Sequence, residues 1–215
     1  MKLLLTFALL LSGPVMAKSL TIDKGPSKVG FEIMKNKIKS IVPGEFKDFE
    51  GTFDYDAKTK TISNVTATIK VNSVDTQSQK RDDHLKQDDF FAAKKFPTIV
   101  FKSTGTAKLS SKGSKKPLKF QTLNVADHFG EIKGNLTLRG ETKPVTLNFY
   151  DVKTSGDKVS FKAVTQIDRS QFKLDWNHPL EKKDFFESVT SWGKKVLGKN
   201  VLSNEVDVLL TISSK

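Results

Sequence analysis

Arg81-Asp82-Asp83-His84-Leu85-Lys86-Gln87-Asp88-Asp89 gathers four aspartates and one of the chain's three histidines. His84 and Asp88 are four residues apart and would share one helical face, an arrangement that can ligate a metal or pair an acid with a base. A zinc site needs three or four ligands in fixed geometry, so His128 or His178 would have to arrive through folding. The chain has no cysteine and no HExxH motif. The same charges also suit a solvated helix face, where aspartates near the helix start complement the macrodipole and Arg81 and Lys86 pair with them. A metal-assisted enzyme built on His84 and the neighbouring aspartates is therefore the alternative reading, and a wet helix the simpler one.

No other catalytic signature stands out. There is no GxSxG elbow, no GxGxxG and no P-loop. Nothing selects a carboxylate pair from the 24 acidic residues. The sequons at Asn64 and Asn135 fall inside predicted strands and are expected to be inert.

The elements that would position these residues are mostly strands. Val29, Phe31 and Ile33 alternate with polar residues or glycine, as do Val65, Ala67, Ile69 and Val71. The pattern returns in Ile132 to Leu138, Val145 to Phe149, Val159 to Ile167 and Val206 to Ile212. Period two marks half-buried strands. With Phe49, Phe53 and Tyr55, and with Ile99 and Phe101, about eight strands are predicted. Turn-like stretches such as YDAKTKT, RGETKP and TSGDK join them. The pattern is that of an antiparallel all-β domain, sandwich or barrel, and eight strands in a barrel can be filled by side chains or can hold one small ligand.

Two segments break the strand pattern. Leu85, Phe90 and Phe91 are expected on a short amphipathic helix ended by Pro97. Phe185, Val189, Trp192 and Val196 recur at helical spacing. Either helix could cover a barrel rim as a lid or plug the core. Fifteen of the sixteen phenylalanines lie beyond the first seventeen residues; they would make a dry aromatic core or line an apolar cavity, since Phe needs no polar partner.

Those first seventeen residues, MKLLLTFALLLSGPVMA, read as a signal peptide cleaved after Ala17. The apolar run is shorter than the roughly 20 residues a membrane span needs. The expected product is one domain, 18–215, in the periplasm or secreted. About 200 residues can bury a sufficient core without disulfides. Loss of Lys2 lowers the formal charge from +12 to +11. The lysines are dispersed, which argues against nucleic acid in an exported protein and allows weak attraction to anionic membrane surfaces.

The chain carries VGFEI, GEFKDFEGTFDYD, VNSVDTQSQKRDDHLKQDDFFAAKKFPTIVFKST, GNLTLRGETKPVTLNF and IDRSQFKLDW followed by VLSNEVDVLLTI. Together these motifs resemble the YceI-like family of exported polyisoprenoid-binding proteins. The likeness runs from about Ser19 to Ile212. It implies an eight-stranded antiparallel lipocalin-like β-barrel with one or two short helices at the rim, without catalytic activity or cofactor, commonly dimeric. The barrel would hold the tail of a polyisoprenoid, an isoprenoid quinone or another long-chain amphiphilic lipid. On that reading Phe31, Phe49, Phe53, Ile69, Val71, Phe101, Leu136, Leu138, Phe149 and Phe161 line the tunnel. Phe90, Phe91, Phe172 and Trp176 close or constrict it. The segment from Phe185 to Val196 departs from the family, which usually has a short glycine-rich turn there.

Overall fold

The computed structural model describes residues 17–35, 39–110, 112–113, 117–174 and 202–215. The chain opens with β1 (Lys18–Thr21), β2 (Lys28–Lys35), β3 (Ser40–Phe46), β4 (Phe49–Asp56) and β5 (Thr61–Lys70). A 3-10 turn, Val71–Ser73, leads to β6 (Val74–Asp75) and helix α1 (Gln79–Leu85). Four more short strands follow, β7 (Thr98–Ser103), β8 (Ala107–Lys108), β9 (Leu118–Lys119) and β10 (Asn124–Val125). The last elements are β11 (Gly130–Leu138), β12 (Glu141–Ser155), β13 (Lys158–Asp168), a second 3-10 turn at Arg169–Phe172, and β14 (Leu202–Ser213).

Every apolar row of period two found in the sequence is a strand: β2, β4, β5, β7, β11, β12, β13 and β14. The count of eight is nevertheless too low. Twelve strands form one antiparallel sheet, in the order β1-β4-β5-β7-β11-β12-β13-β14-β2-β3-β6 with β8 beside β5, and β9 pairs with β10 apart from it. The strands that escaped are short, or, like β3, carry Pro43 and Gly44, residues that normally mark turns.

The sheet curls into a lipocalin-like barrel because its ends are tied back. Ile22, one residue beyond β1, bridges Ser214 after β14. The Asp23 N–H donates to Ser213 O at 2.8 Å and the Lys215 N–H to Thr21 O at 3.0 Å. At its other end β3 pairs with β6, which follows β5 after a single turn. Hairpins keep the strands in register. Between β11 and β12 the register Leu138↔Glu141 leaves a two-residue loop, Arg139 and Gly140, with φ of 50° and 78°. Positive φ at both positions is the backbone that matches the twist of the flanking strands.

With period two, one row of each strand faces inward. On β13, Val159, Phe161, Ala163 and Ile167 are buried; on β12, Leu147 and Phe149 are. Two glycines on inward rows make room for rings. A Cβ on Gly44 would stand 2.2 Å from the tip of Phe31, and one on Gly134 would stand 2.4 Å from that of Phe101. The aromatic rings therefore lie flat against backbone, where any larger residue would displace them.

The α1 region departs from expectation. The helix ends at Leu85 instead of running to Pro97. The Phe91 N–H reaches back to Leu85 O and the Ala93 N–H to Lys86 O, while Ala92 takes a left-handed φ of 50°. Phe90 and Phe91 thus ride on a tight loop that aims both rings at the barrel. The predicted helical segment Phe185 to Val196 lies outside the described residues.

Replacing Gly44 with alanine is expected to destabilise the fold by about 1–3 kcal/mol through overpacking against Phe31. Gly105→Ala, where a Cβ meets nothing within 4 Å, should shift the melting temperature far less; thermal unfolding of the two variants side by side measures the difference.

Candidate ligand-binding site

The inward rows do not fill the barrel. A cavity of about 240 Å³ remains, with walls from β2, β3, β4, β5, β7, β11, β12, β13 and β14. Of the fourteen residues expected to line or close it, eleven do so: Phe31, Phe49, Phe53, Ile69, Phe90, Phe91, Phe101, Leu136, Leu138, Phe149 and Phe161. Rings make much of the surface and touch in tilted or edge-to-face pairs, Phe149–Phe161 at 4.8 Å, Phe53–Phe161 at 5.9 Å and Phe31–Phe46 at 5.6 Å. Phe91 joins this set through Phe46 at 5.9 Å and through Phe90 at 4.9 Å.

Two expectations fail and one lies elsewhere. Val71 is buried but does not face the cavity, because the chain leaves β5 at Lys70 and the alternation running through Ile69 stops there. Phe172 is buried in the second 3-10 turn and borders a separate groove with Phe120, Asn135 and Gln166. Trp176 lies outside the described residues.

The polar residues of the lining are few and mostly basic: Lys35, Arg81, His84 and Arg169, with Thr76 and Thr165. Their elements meet at one end of the barrel. Arg139, in the β11–β12 turn, donates from Nη2 to Asp88 O at 2.8 Å and from Nη1 to Lys173 O, joining the loop after α1 to the chain just past the second 3-10 turn. Lys173 also bonds Glu141, and its ammonium holds that carboxyl below the usual carboxylate range. Arg169 is 4% exposed and donates from Nε to Ser203 O at 2.9 Å and from Nη1 to Leu174 O. The opposite end of the cavity holds Phe53, Phe149, Phe161, Ile22 and Ile212. We call the basic end the mouth and the aromatic end the floor.

The acidic run beside His84 is not simply a wet face. Asp82 is 6% exposed and accepts the Thr76 N–H at 2.9 Å and the Thr76 hydroxyl at 2.5 Å on Oδ1. Arg81 in turn donates to Thr76, Nε to the hydroxyl at 2.7 Å and Nη2 to the carbonyl at 2.6 Å. A carboxylate with these two donors fixes the turn before α1 and, through it, the guanidinium at the mouth. Asp83 and Asp88 do behave as surface charges, toward Lys86 at 4.0 Å and Lys95 at 3.0 Å. His84 faces the cavity and stands 3.3 Å from Asp89. Among the described residues no group of three or more His, Asp or Glu is placed to hold a metal ion.

Two of the basic lining residues had a readable signal. Lys35 is the next inward position after Phe31 and Ile33, and Arg169 the next after Thr165 and Ile167. A charged residue that keeps the parity of an apolar row is a lining residue, whatever its type. Thr76 had no such signal, since its place depends on Asp82.

Residues 20–213 match the YceI-like domain family. Protein YceI of Salmonella agona (strain SL483) is 36% identical over 178 residues, covering 79% of this chain and 84% of that protein. A UPF0312 protein of Pseudomonas aeruginosa (strain LESB58) is 37% identical over 141 residues, 65% of each chain. Among solved structures, Burkholderia cenocepacia BcnA superposes with a TM-score of 0.64 at 22% identity, over 90% of this chain and 99% of its own. A polyisoprenoid binding domain from Saccharophagus degradans, implicated in plant cell wall breakdown, gives 0.56 at 15% identity over 93% and 99%. At these identities the two structures establish the shared fold.

Asp82→Ala should cost about 1–3 kcal/mol, because both Thr76 donors lose their acceptor inside the protein. Asp83→Ala, one residue along on the exposed side of α1, should stay within about 0.5 kcal/mol of the parent. Denaturant unfolding of the two variants checks the contrast.

Proposed function

Because the chain belongs to the YceI-like domain family, we propose that it is a non-enzymatic binding protein that holds the tail of a long-chain apolar lipid inside its barrel. The observation that carries this reading is the cavity itself, walled on every side by apolar side chains, with its charged residues at the mouth. The name of the Saccharophagus degradans domain, a polyisoprenoid binding domain, supports the same class of ligand. The opening residues support export to the periplasm or beyond, where such a protein would carry, store or sequester a lipid that water does not dissolve.

The energetics suit the task. Each buried methylene contributes about 0.8 kcal/mol, so ten of them give about 8 kcal/mol gross, of the same order as the cost of association. No strong polar anchor is required for the tail. Edge-to-face rings can tilt without losing a hydrogen bond, which lets the walls follow chains of different branching. Weak attraction between the dispersed lysines and anionic lipid surfaces would bring the protein to its source of ligand.

Protein taken from its own cell envelope and extracted with organic solvent should release a prenyl or acyl lipid in near-stoichiometric amount, as read by mass spectrometry. Once emptied, it should take up the neutral apolar fluorophore N-phenyl-1-naphthylamine. Phe161→Glu, placing a charge between Phe53 and Phe149, should abolish that uptake in protein whose far-ultraviolet circular dichroism is unchanged. An emptied wild-type protein that ignores the fluorophore would count against lipid binding. Intact mass of the exported protein should correspond to a chain beginning at Lys18.

A further inference from the structure

Taking the lipid-binding reading as its basis, we propose that the mouth of the cavity is a headgroup site selective for amphiphiles that end in an oxyanion, a carboxylate or a phosphate. The charged residues of the cavity lie at one end only, and all are basic. Among the described residues no aspartate or glutamate lines it. Lys35 and Arg81 carry the case. Arg81 is oriented by two hydrogen bonds to Thr76 and forms no ion pair with a described residue. Lys35 sits on the inward row of β2 beyond Ile33 and likewise forms none.

The nearby carboxylates are otherwise engaged. Asp82 takes its bonds from Thr76, and Asp89 faces His84. A cation beside an apolar cavity is poorly solvated, and a ligand oxyanion arriving at the end of an apolar tail supplies the missing counter-charge. Bonds from a guanidinium or ammonium to an oxyanion are roughly twice as strong as those to a neutral oxygen. A neutral head such as an alcohol gains only the weaker kind, and an ammonium head meets like charge. Tail burial therefore sets whether a lipid binds, and the mouth sets which headgroup is preferred.

The test uses the emptied exported chain loaded with N-phenyl-1-naphthylamine. The fluorophore is displaced at neutral pH by oleate, oleyl phosphate, oleyl alcohol and oleylamine, each below its micellar concentration. Oleate or oleyl phosphate, or both, should displace it at about tenfold lower concentration than oleyl alcohol, with oleylamine weakest. Which of the two acids is stronger identifies the source of the oxyanion. Lys35→Gln and Arg81→Gln should each weaken the acids more than the alcohol, so that the acid curves move toward the alcohol curve. Should Arg81→Gln unfold by losing its hold on Thr76, Lys35→Gln, which breaks no ion pair among the described residues, decides alone. Four equal displacement curves for the wild type, or an undiminished acid preference in the folded variants, would overturn the headgroup site while leaving the lipid reading intact. Failure of the fluorophore to bind at all would instead strike the lipid reading.

Discussion

A phenylalanine ring can be buried without leaving a polar atom in need of a partner, and the barrel depends on that freedom. The strands satisfy their backbone groups sideways, within the sheet, so the interior has little hydrogen bonding left to offer. Tyrosine and tryptophan would bring polar tips into it; phenylalanine does not. The rings must still fit, and they fit because Gly44 and Gly134 let Phe31 and Phe101 lie against backbone. The result is an interior that the side chains do not fill and whose lining is apolar apart from six residues.

Charge enters this interior at one end only, and there it is organised from behind. Asp82 gives the basic mouth its order without facing the cavity: it holds Thr76, and Thr76 holds Arg81. The carboxylate that first resembled part of a catalytic cluster is thus a positioning group. Removing it would loosen the guanidinium as well as the helix that carries it.

Much of this was legible in the sequence, and the parts that were not share a cause. Period two located eight strands and the inward parity of most cavity residues, because an alternating pattern has only one way to sit on a curled sheet. β3 escaped because Pro43 and Gly44 are turn residues in isolation, yet here Pro43 pairs opposite Glu32 and Gly44 serves as a ring seat. Val71 keeps the parity of the β5 row in sequence, but the strand stops at Lys70 and nothing in the alternation marks that end. The α1 segment was drawn too long for a similar reason, since the left-handed turn at Ala92 leaves no residue signature. Buried Asp82 has the sequence signature of a surface charge, because its partner, Thr76, lies outside the helix and meets it only after folding.

The bridge between Ile22 and Ser214 settles how the protein can be held. It places the residue after β1 beside the end of β14 at the floor, and the start of β1 stays at that end, where Lys18 pairs with Asp157 in the β12–β13 turn at 3.3 Å. The basic mouth points the other way. A tether, surface linker or fusion partner attached at either end of the domain would therefore grip it from beneath, like the stem of a cup, and leave its opening turned toward whatever fills it.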